Sequence, residues 1–243
     1  MPVDHSNDLL LVTCASGKQA GHLLPHLVAK WKRLRLVVHS SSSQQRLKEN
    51  YPNAEVIKAD LAEPHEASLL FRGVTAVYHI GPSFHPRETQ IGYNMIDAAI
   101  METKHGRFKH FVFSSVINSQ LQKLMNHDCK RYVEEYLMES GLNYTILQPT
   151  HFMDLFPIQE MLSQEKPMYE ANWSVDIPFS FLDLQDFGEA SAAVLNQREK
   201  HYLAQYNLVS TERPLPYREF VGIVSKEIGK TIEIQGRETQ HRE

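Results

Sequence analysis

The stretch that decides the fold is "LLLVTCASGKQAGHLLPHL", Leu9 to Leu27. Four apolar residues in a row read as a buried strand. Small and polar residues then make a tight turn, and an amphipathic run opens a helix in which Pro25 is expected within the first turns. A strand, a tight turn and a helix N-terminus form the setting in which a chain cradles the pyrophosphate of a dinucleotide. Such a turn normally carries three glycines: for the turn itself, for backbone approach to the ligand and for close helix packing. Here the three places hold Cys14, Gly17 and Ala20, with Gly21 following. The middle glycine is kept, Ala20 is small enough to pack, and Cys14 is the departure, because its side chain narrows the turn.

Working outward, short apolar runs alternate with helical patterns. Strands are expected at "LRLVVHS", "AEVIKAD", "VTAVYHIG", "FKHFVFSSV" and "NYTILQPT". Helices are expected at "PHEASLLFRG", from a proline start to a glycine stop, and at "RETQIGYNMIDAAIMETKHG" and "NHDCKRYVEEYLMESG". The serine run Ser40 to Ser43 reads as part of a polar loop. Apolar strands alternating with helices predict an α/β fold, a doubly wound parallel sheet with helices on both faces. Ligands in such sheets lie outside the carboxyl ends of the strands. After Pro149 the pattern loosens into prolines and aromatics around one clear helix, Leu184 to Asn196. The expected division is therefore a dinucleotide-binding domain over 1–150 and a smaller mixed lobe over 151–243, partly interleaved with the sheet.

The totals bound the function. The chain has 243 residues, 42% hydrophobic and 22% charged, with a net charge of −4, an ordinary globular composition. It lacks the basic footprint of a nucleic-acid binder and any apolar run of membrane-spanning length. Two cysteines make no disulfide framework, and the polar start "MPVDHSND" lacks an apolar signal region. These features predict a cytoplasmic protein with neither nucleic acid nor membrane as partner. The 13 histidines are scattered and lack metal spacing, so no metal is expected.

The cofactor reading rests on strand ends. At the end of the second strand, "VVHSSSSQQR" carries no acid to grip ribose hydroxyls. His39, Ser40 and Arg46 could instead receive a 2′-phosphate. That favours NADP, with NAD the alternative.

Several of these residues are familiar together. "VTCASGKQAG", "HIGPSFHPRETQIGYNMIDAA", "FVFSSV", "KRYVEEYLMESGLNYTILQPTHFMD" and "FLDLQDFGEASAAVL" resemble, in order and over nearly the whole chain, the landmarks of the NmrA-like family. This is an atypical branch of the short-chain dehydrogenase/reductase superfamily, and the fungal members are the most similar. The resemblance implies a Rossmann-type fold that binds NAD or NADP, with substrate held between two lobes. Members usually continue several tens of residues beyond the last strand, whereas this sequence stops at Glu243.

By the resemblance, the cofactor would meet Cys14, Ser16, Gly17, Lys18, Gln19 and Ala20 in the first turn, and His39, Ser40 and Arg46 beyond the second strand. Asp60, with Leu61, would meet the adenine; the alternative for Asp60 is a helix cap. Ile80, Gly81, Pro82, Ser114, Lys130, Pro149, Thr150 and Phe152 complete the set. The superfamily's machinery is Ser, Tyr and Lys, the last two as Y-x-x-x-K. Here "NHDCK" puts Asn126 in the tyrosine slot and keeps Lys130. The implied catalytic residues are Lys130 and Ser115, with His127 one residue off the tyrosine slot. The alternative for Lys130 is an i,i+4 pair with Glu134. Phe84, His85, Tyr93, His151 and Trp173 are candidates to line a substrate site.

Three functions are open on this reading. The first is an NADPH-dependent oxidoreductase acting on a small organic substrate, as in secondary metabolism. The second is a non-catalytic dinucleotide-binding redox sensor or regulator that works through a protein partner. The third is a redox-neutral isomerase, cyclase or dehydratase on the same fold, with histidines near neutral pKa doing the acid–base work.

Overall fold

The computed structural model describes residues 2–236; Met1 and residues 237–243, with the chain end noted above, lie outside them. Two units are present: one comprises Met1–Pro149 with Leu184–Leu208, the other Thr150–Asp183 with Val209–Glu243.

The first unit is built on strands β1 (Leu9–Val12), β2 (Arg33–Val38), β3 (Glu55–Lys58), β4 (Ala76–Ile80), β5 (His110–Ser114) and β6 (Tyr144–Pro149). A later strand, β11 (Ala204–Leu208), joins them. All seven pair in parallel, in the order β11-β6-β5-β4-β1-β2-β3. This is a Rossmann-like sheet. Strands β1, β4 and β5 are buried along their whole length, which is why they read as continuous apolar runs rather than alternating ones. β1 lies between β2 and β4, so the chain reverses its winding there. The crevice at the carboxyl ends of β1 and β4 is thus the place the fold offers to a ligand.

The helices between these strands are α1 (Lys18–Val28), α2 (Ser41–Asn50), α3 (Pro64–Leu70), α4 (Glu88–Lys104) and α5 (Met125–Glu139). α4 buries Ile91, Met95, Ile96, Ala98 and Ala99 against the sheet, an amphipathic stripe at helical spacing. α7 (Leu184–Asn196) packs on α1, and Gly188 permits the close crossing. A Cβ built there would lie 2.6 Å from the carbonyl oxygen of His22.

Two local expectations are corrected. The serine run is not a loop: Ser40 caps α2, its side chain accepting from the amide of Ser43 at 3.2 Å, and Ser41–Ser43 form the first turn. Serine is a good N-cap, and α2 buries only Leu47, so no apolar period announces it. Pro25 is the eighth residue of α1 rather than part of its first turns. The carbonyl its ring crowds belongs to Gly21, which lies on the exposed side and is open to solvent.

The second unit comprises β7 (His151–Phe152), α6 (Ile158–Ser163), β8 (Met168–Ala171), β9 (Pro178–Phe179), β10 (Phe181–Leu182), β12 (Leu215–Pro216), α8 (Tyr217–Ile228) and β13 (Glu233–Gly236). Its strands pair as β10 with β7, β12 with β9 and β13 with β8. Phe156, Met161, Phe181, Tyr217, Phe220 and Ile232 form its core. Among the described residues no helix is long and apolar enough to cross a membrane.

Candidate functional site

The turn after β1 is tight. The amide of Ala15 donates to Val37 at 2.9 Å, and that of Gly17 to Cys14 at 2.9 Å. Cys14 adopts φ +46°, a left-handed conformation that glycine takes without steric cost. Gly17 is the N-cap of α1 and brings no side chain to the helix end. A Cβ there would lie 3.2 Å from the carbonyl oxygen of Cys14, so the turn has room for a glycine. The first turn of α1 holds no acidic residue, leaving its amides and dipole directed at an anion. Ala20 is buried. Gln19 reaches across the sheet and accepts at Oε1 from the Ser114 hydroxyl at 2.8 Å.

A cavity of about 330 Å³ opens beside this turn. Cys14, Ser16, Gly17, His39, Asp60, Leu61, Pro82 and His85 are in its lining, with Val37, Val38, Ala59 and Ile91 as apolar wall. An apolar slot closed by a glycine turn suits a planar base and ribose. Asp60 is held on two sides: Oδ1 accepts from the Ala62 amide at 2.9 Å, and Oδ2 lies 3.5 Å from Arg87. It does not cap α3, whose N-cap is Glu63. Burial, then the charge of Glu88, push the Cys14 thiol up to about 11, with Lys130 opposing; at neutral pH it is a protonated thiol.

At the end of β2 the charge is positive. Arg46 donates to the Ser16 carbonyl at 3.3 Å and so spans α2 and the first turn. Lys58 ends β3 in register with Val38 and reaches the Ser41 hydroxyl at 3.4 Å. His39, Ser40, Arg46 and Lys58 therefore surround the N-terminus of α2, whose first turn also lacks an acid. Lys58 does not stand out in the sequence; only the pairing of β3 with β2 brings it here.

The inner end of the crevice holds the other candidates, but not as one triad. Lys130 is buried and pairs with Glu88 of α4. It does not pair with Glu134 as its spacing on α5 predicts. The Glu134 carboxylate is occupied: it accepts from the hydroxyl of Ser115, from that of Ser119 at 2.7 Å and from the Gln148 amide at 2.8 Å. Ser115 is thus turned into this buried network, while Ser114 faces Gln19. Neighbouring strand residues point to opposite faces. His127 has a different partner again, with Nδ1 lying 3.2 Å from the Asn118 carbonyl. Ile80 closes β4, where its amide donates to Thr13 at 2.8 Å. Gly81 lies against the Glu88 carboxylate. Pro149 closes β6 and accepts from Ile117 at 3.0 Å.

Of the substrate candidates in this unit, His85 lines the cavity and Phe84 is 82% exposed at φ +64°. The Tyr93 ring packs on that of Tyr136 of α5 at 4.6 Å, and Tyr93 is not in the lining of the cavity. In the second unit, Thr150 donates to the Ser180 carbonyl at 2.9 Å, and Phe152 follows His151 in β7. The His151 ring sits edge-on to Trp173, Phe179, Phe181 and Tyr217 at 5.3–5.8 Å. Burial holds its pKa below the ordinary value. The indole N–H of Trp173 is buried without a partner.

Comparison with known proteins agrees with this fold. The fold superimposes on the Citrobacter sp. triphenylmethane reductase complexed with NADP(H), with a TM-score of 0.80 at 21% identity over 95% of this chain and 79% of that one. The NADPH-dependent quinone oxidoreductase QOR2 of Escherichia coli gives 0.78 at 18% identity, over 94% and 78% of the two chains. NmrA, a negative transcriptional regulator, in complex with NAD gives 0.80 at 20% identity, over 95% and 75%. No curated protein sequence matches the chain. The model of the NmrA-like family matches residues 6–240, nearly the whole length. The chain belongs to the NmrA-like family and has its nicotinamide-dinucleotide-binding fold.

Proposed function

We propose that the protein binds NADP(H) in the cavity beside Gly17 and reduces a small, conjugated organic acceptor. The observation that carries the cofactor choice is the end of β2. His39, Ser40, Arg46 and Lys58 gather there, and no carboxylate ends β2. A 2′-phosphate gains charge-assisted hydrogen bonds in such a setting, whereas a bare ribose finds no acid to hold it. Gly17 and the first turn of α1 would hold the pyrophosphate, and Asp60, Leu61 and the apolar wall the adenosine.

When bound, the cofactor supplies a hydride. The chain's own groups bear on the proton. Asn126 stands in the tyrosine slot, Lys130 is paired with Glu88, and Ser115 gives its hydroxyl to Glu134. None of these three is set up as a general acid. This favours acceptors that take their proton from water once reduced, such as quinones and conjugated carbonyl compounds. Two of the similar structures are named as reductases of a triphenylmethane and of a quinone, which supports the class without naming the substrate.

The test is NADPH and NADH titration by calorimetry, followed by NADPH oxidation with a panel of quinones, enals and aldehydes. Preferred binding of NADPH with turnover of at least one conjugated acceptor is expected. Absence of binding would end the proposal. Binding without turnover would favour the second reading, a dinucleotide-sensing regulator acting through a protein partner. The same missing tyrosine supports that reading, as does the likeness to a transcriptional regulator.

A further inference from the structure

Glu88 is a buried carboxylate, 4% exposed, in the first turn of α4. One oxygen, Oε1, accepts from the ammonium of Lys130, itself 7% exposed. The other, Oε2, accepts from the amide of Phe84 at 3.1 Å. The carboxylate lies against Gly81 at the end of β4, where a Cβ would approach Oε1 to 3.3 Å. Glu88 therefore joins three pieces of the crevice: the end of β4, the loop that carries Pro82 and His85 into the cavity lining, and α5.

We propose that Glu88 is the positioning residue for Lys130. The inference rests on the cofactor reading above. A lysine side chain is long and flexible, and a buried ammonium without an anion tends to lose its proton. Glu88 answers both difficulties. It sets an anion beside the buried ammonium and engages one of its three N–H donors, so two remain for the ribose hydroxyls of a bound dinucleotide. The alternative anchor four residues along α5, Glu134, is already occupied by Ser115, Ser119 and Gln148, so Lys130 is not drawn along its own helix. The Phe84 amide takes up the second oxygen. In a fold that lacks the tyrosine at Asn126, the lysine's orientation thus comes from another helix.

The test measures affinity for NADP⁺ and for adenosine 2′,5′-bisphosphate, which reaches the adenosine cavity but not Lys130. The proteins are wild type, Glu88→Gln, Lys130→Met and the double variant. Glu88→Gln and Lys130→Met are each expected to weaken NADP⁺ about tenfold, the scale of one charged hydrogen bond. Adenosine 2′,5′-bisphosphate should stay within about twofold, which also reports that the variants are folded, and the double variant should be no weaker than Lys130→Met alone. Unchanged or tighter NADP⁺ binding in Glu88→Gln overturns the proposal. So do equal losses for both ligands, which mark a merely structural role, and additive losses in the double variant. If the wild type binds neither ligand, the cofactor reading itself has failed and this inference falls with it.

Discussion

Arg46 donates a hydrogen bond to the carbonyl oxygen of Ser16 at 3.3 Å, so the second helix of the sheet reaches the turn behind the first strand. The guanidinium has five N–H donors in a planar fork; one is committed to Ser16, which leaves the others for a phosphate beside His39 and Ser40. Arg46→Ala should lower affinity for NADPH by about ten- to thirtyfold, while NADH changes by less than about threefold. Parallel titrations with the two reduced cofactors check this. An equal loss for both would mean that Arg46 only braces the turn.

Cys14 occupies a left-handed conformation, φ +46°, at the tightest point of that turn, and its side chain is in the lining of the cavity. An L-residue there carries about 1 kcal/mol of strain that glycine avoids. Glycine also has more freedom in the unfolded chain, which offsets part of the gain. Cys14→Gly should thus leave stability unchanged or raise it by up to about 1 kcal/mol, and it should tighten dinucleotide binding by removing a side chain from the ligand's path. Thermal melting and a binding titration on the same preparation test the two halves separately. Weaker binding would show that the thiol is a contact and not an obstruction.

The sheet was legible because its signals are local and strong. Leu9–Val12 and Ala76–Ile80 are buried on both faces, so their sequences are unbroken apolar runs. Helix α7 announces itself by apolar period alone. Helix α2 does not, because it rests a single leucine, Leu47, on the sheet. Much of the cavity lining was legible as strand ends: Cys14, Ser16, Gly17, His39, Asp60, Leu61, Pro82 and His85 follow four different strands and lie together. Lys58 enters through strand pairing, and Glu88 through the approach of α4 to α5. Neither has a spacing in the chain that marks it. Lys130 illustrates the limit: its i,i+4 neighbour Glu134 is the partner that local geometry suggests, but three neutral donors from the β5 and β6 strand ends and the loop after β5 take that carboxylate first.

Gly188 marks the crossing of α7 over α1. An added Cβ meets backbone, 2.6 Å from the His22 carbonyl oxygen and 2.8 Å from its carbon, and backbone cannot rotate away as a side-chain end can. Gly188→Ala should destabilise the protein by about 2–4 kcal/mol through overpacking. Gly222, inside α8, is the control: nothing lies within 4 Å of its added Cβ, so Gly222→Ala should be neutral or stabilise by up to about 1 kcal/mol through helix propensity. Urea unfolding of both variants decides it. A Gly188→Ala protein as stable as the wild type would show that the two helices can separate without cost.

Acid should unfold the protein well before its carboxylates are neutralised. Burial, and then the charge of Lys130, lower the pKa of His79 to about 3. Burial, Arg198 and His201 do the same for His110. Burial chiefly holds both rings neutral. The Thr145 hydroxyl donates to the His201 carbonyl at 2.6 Å, so it accepts from Nε2 of His110 at 2.8 Å, and Nδ1 is left as a buried, unprotonated nitrogen. The folded pKa values lie below the unfolded value near 6.5. Stability is therefore full above about pH 6.5 and is lost as pH falls, because the unfolded chain binds protons that the folded one refuses. Each histidine contributes a slope of about 1.4 kcal/mol per pH unit until the folded state titrates. For Asp8, burial works to raise the pKa, but Lys109, the Asp4 amide and Arg198 together hold it low, so its acid loss begins only below about pH 4. His110→Gln removes one of several such contributions, since burial also lowers the pKa of His151 and His201. It should be less stable than wild type at pH 7.5, and its stability should fall less steeply, by up to about 1.4 kcal/mol per pH unit, between pH 6.5 and 5 in urea titrations. An undiminished slope would mean that His110 takes up its proton in the folded state and is not held as a neutral ring.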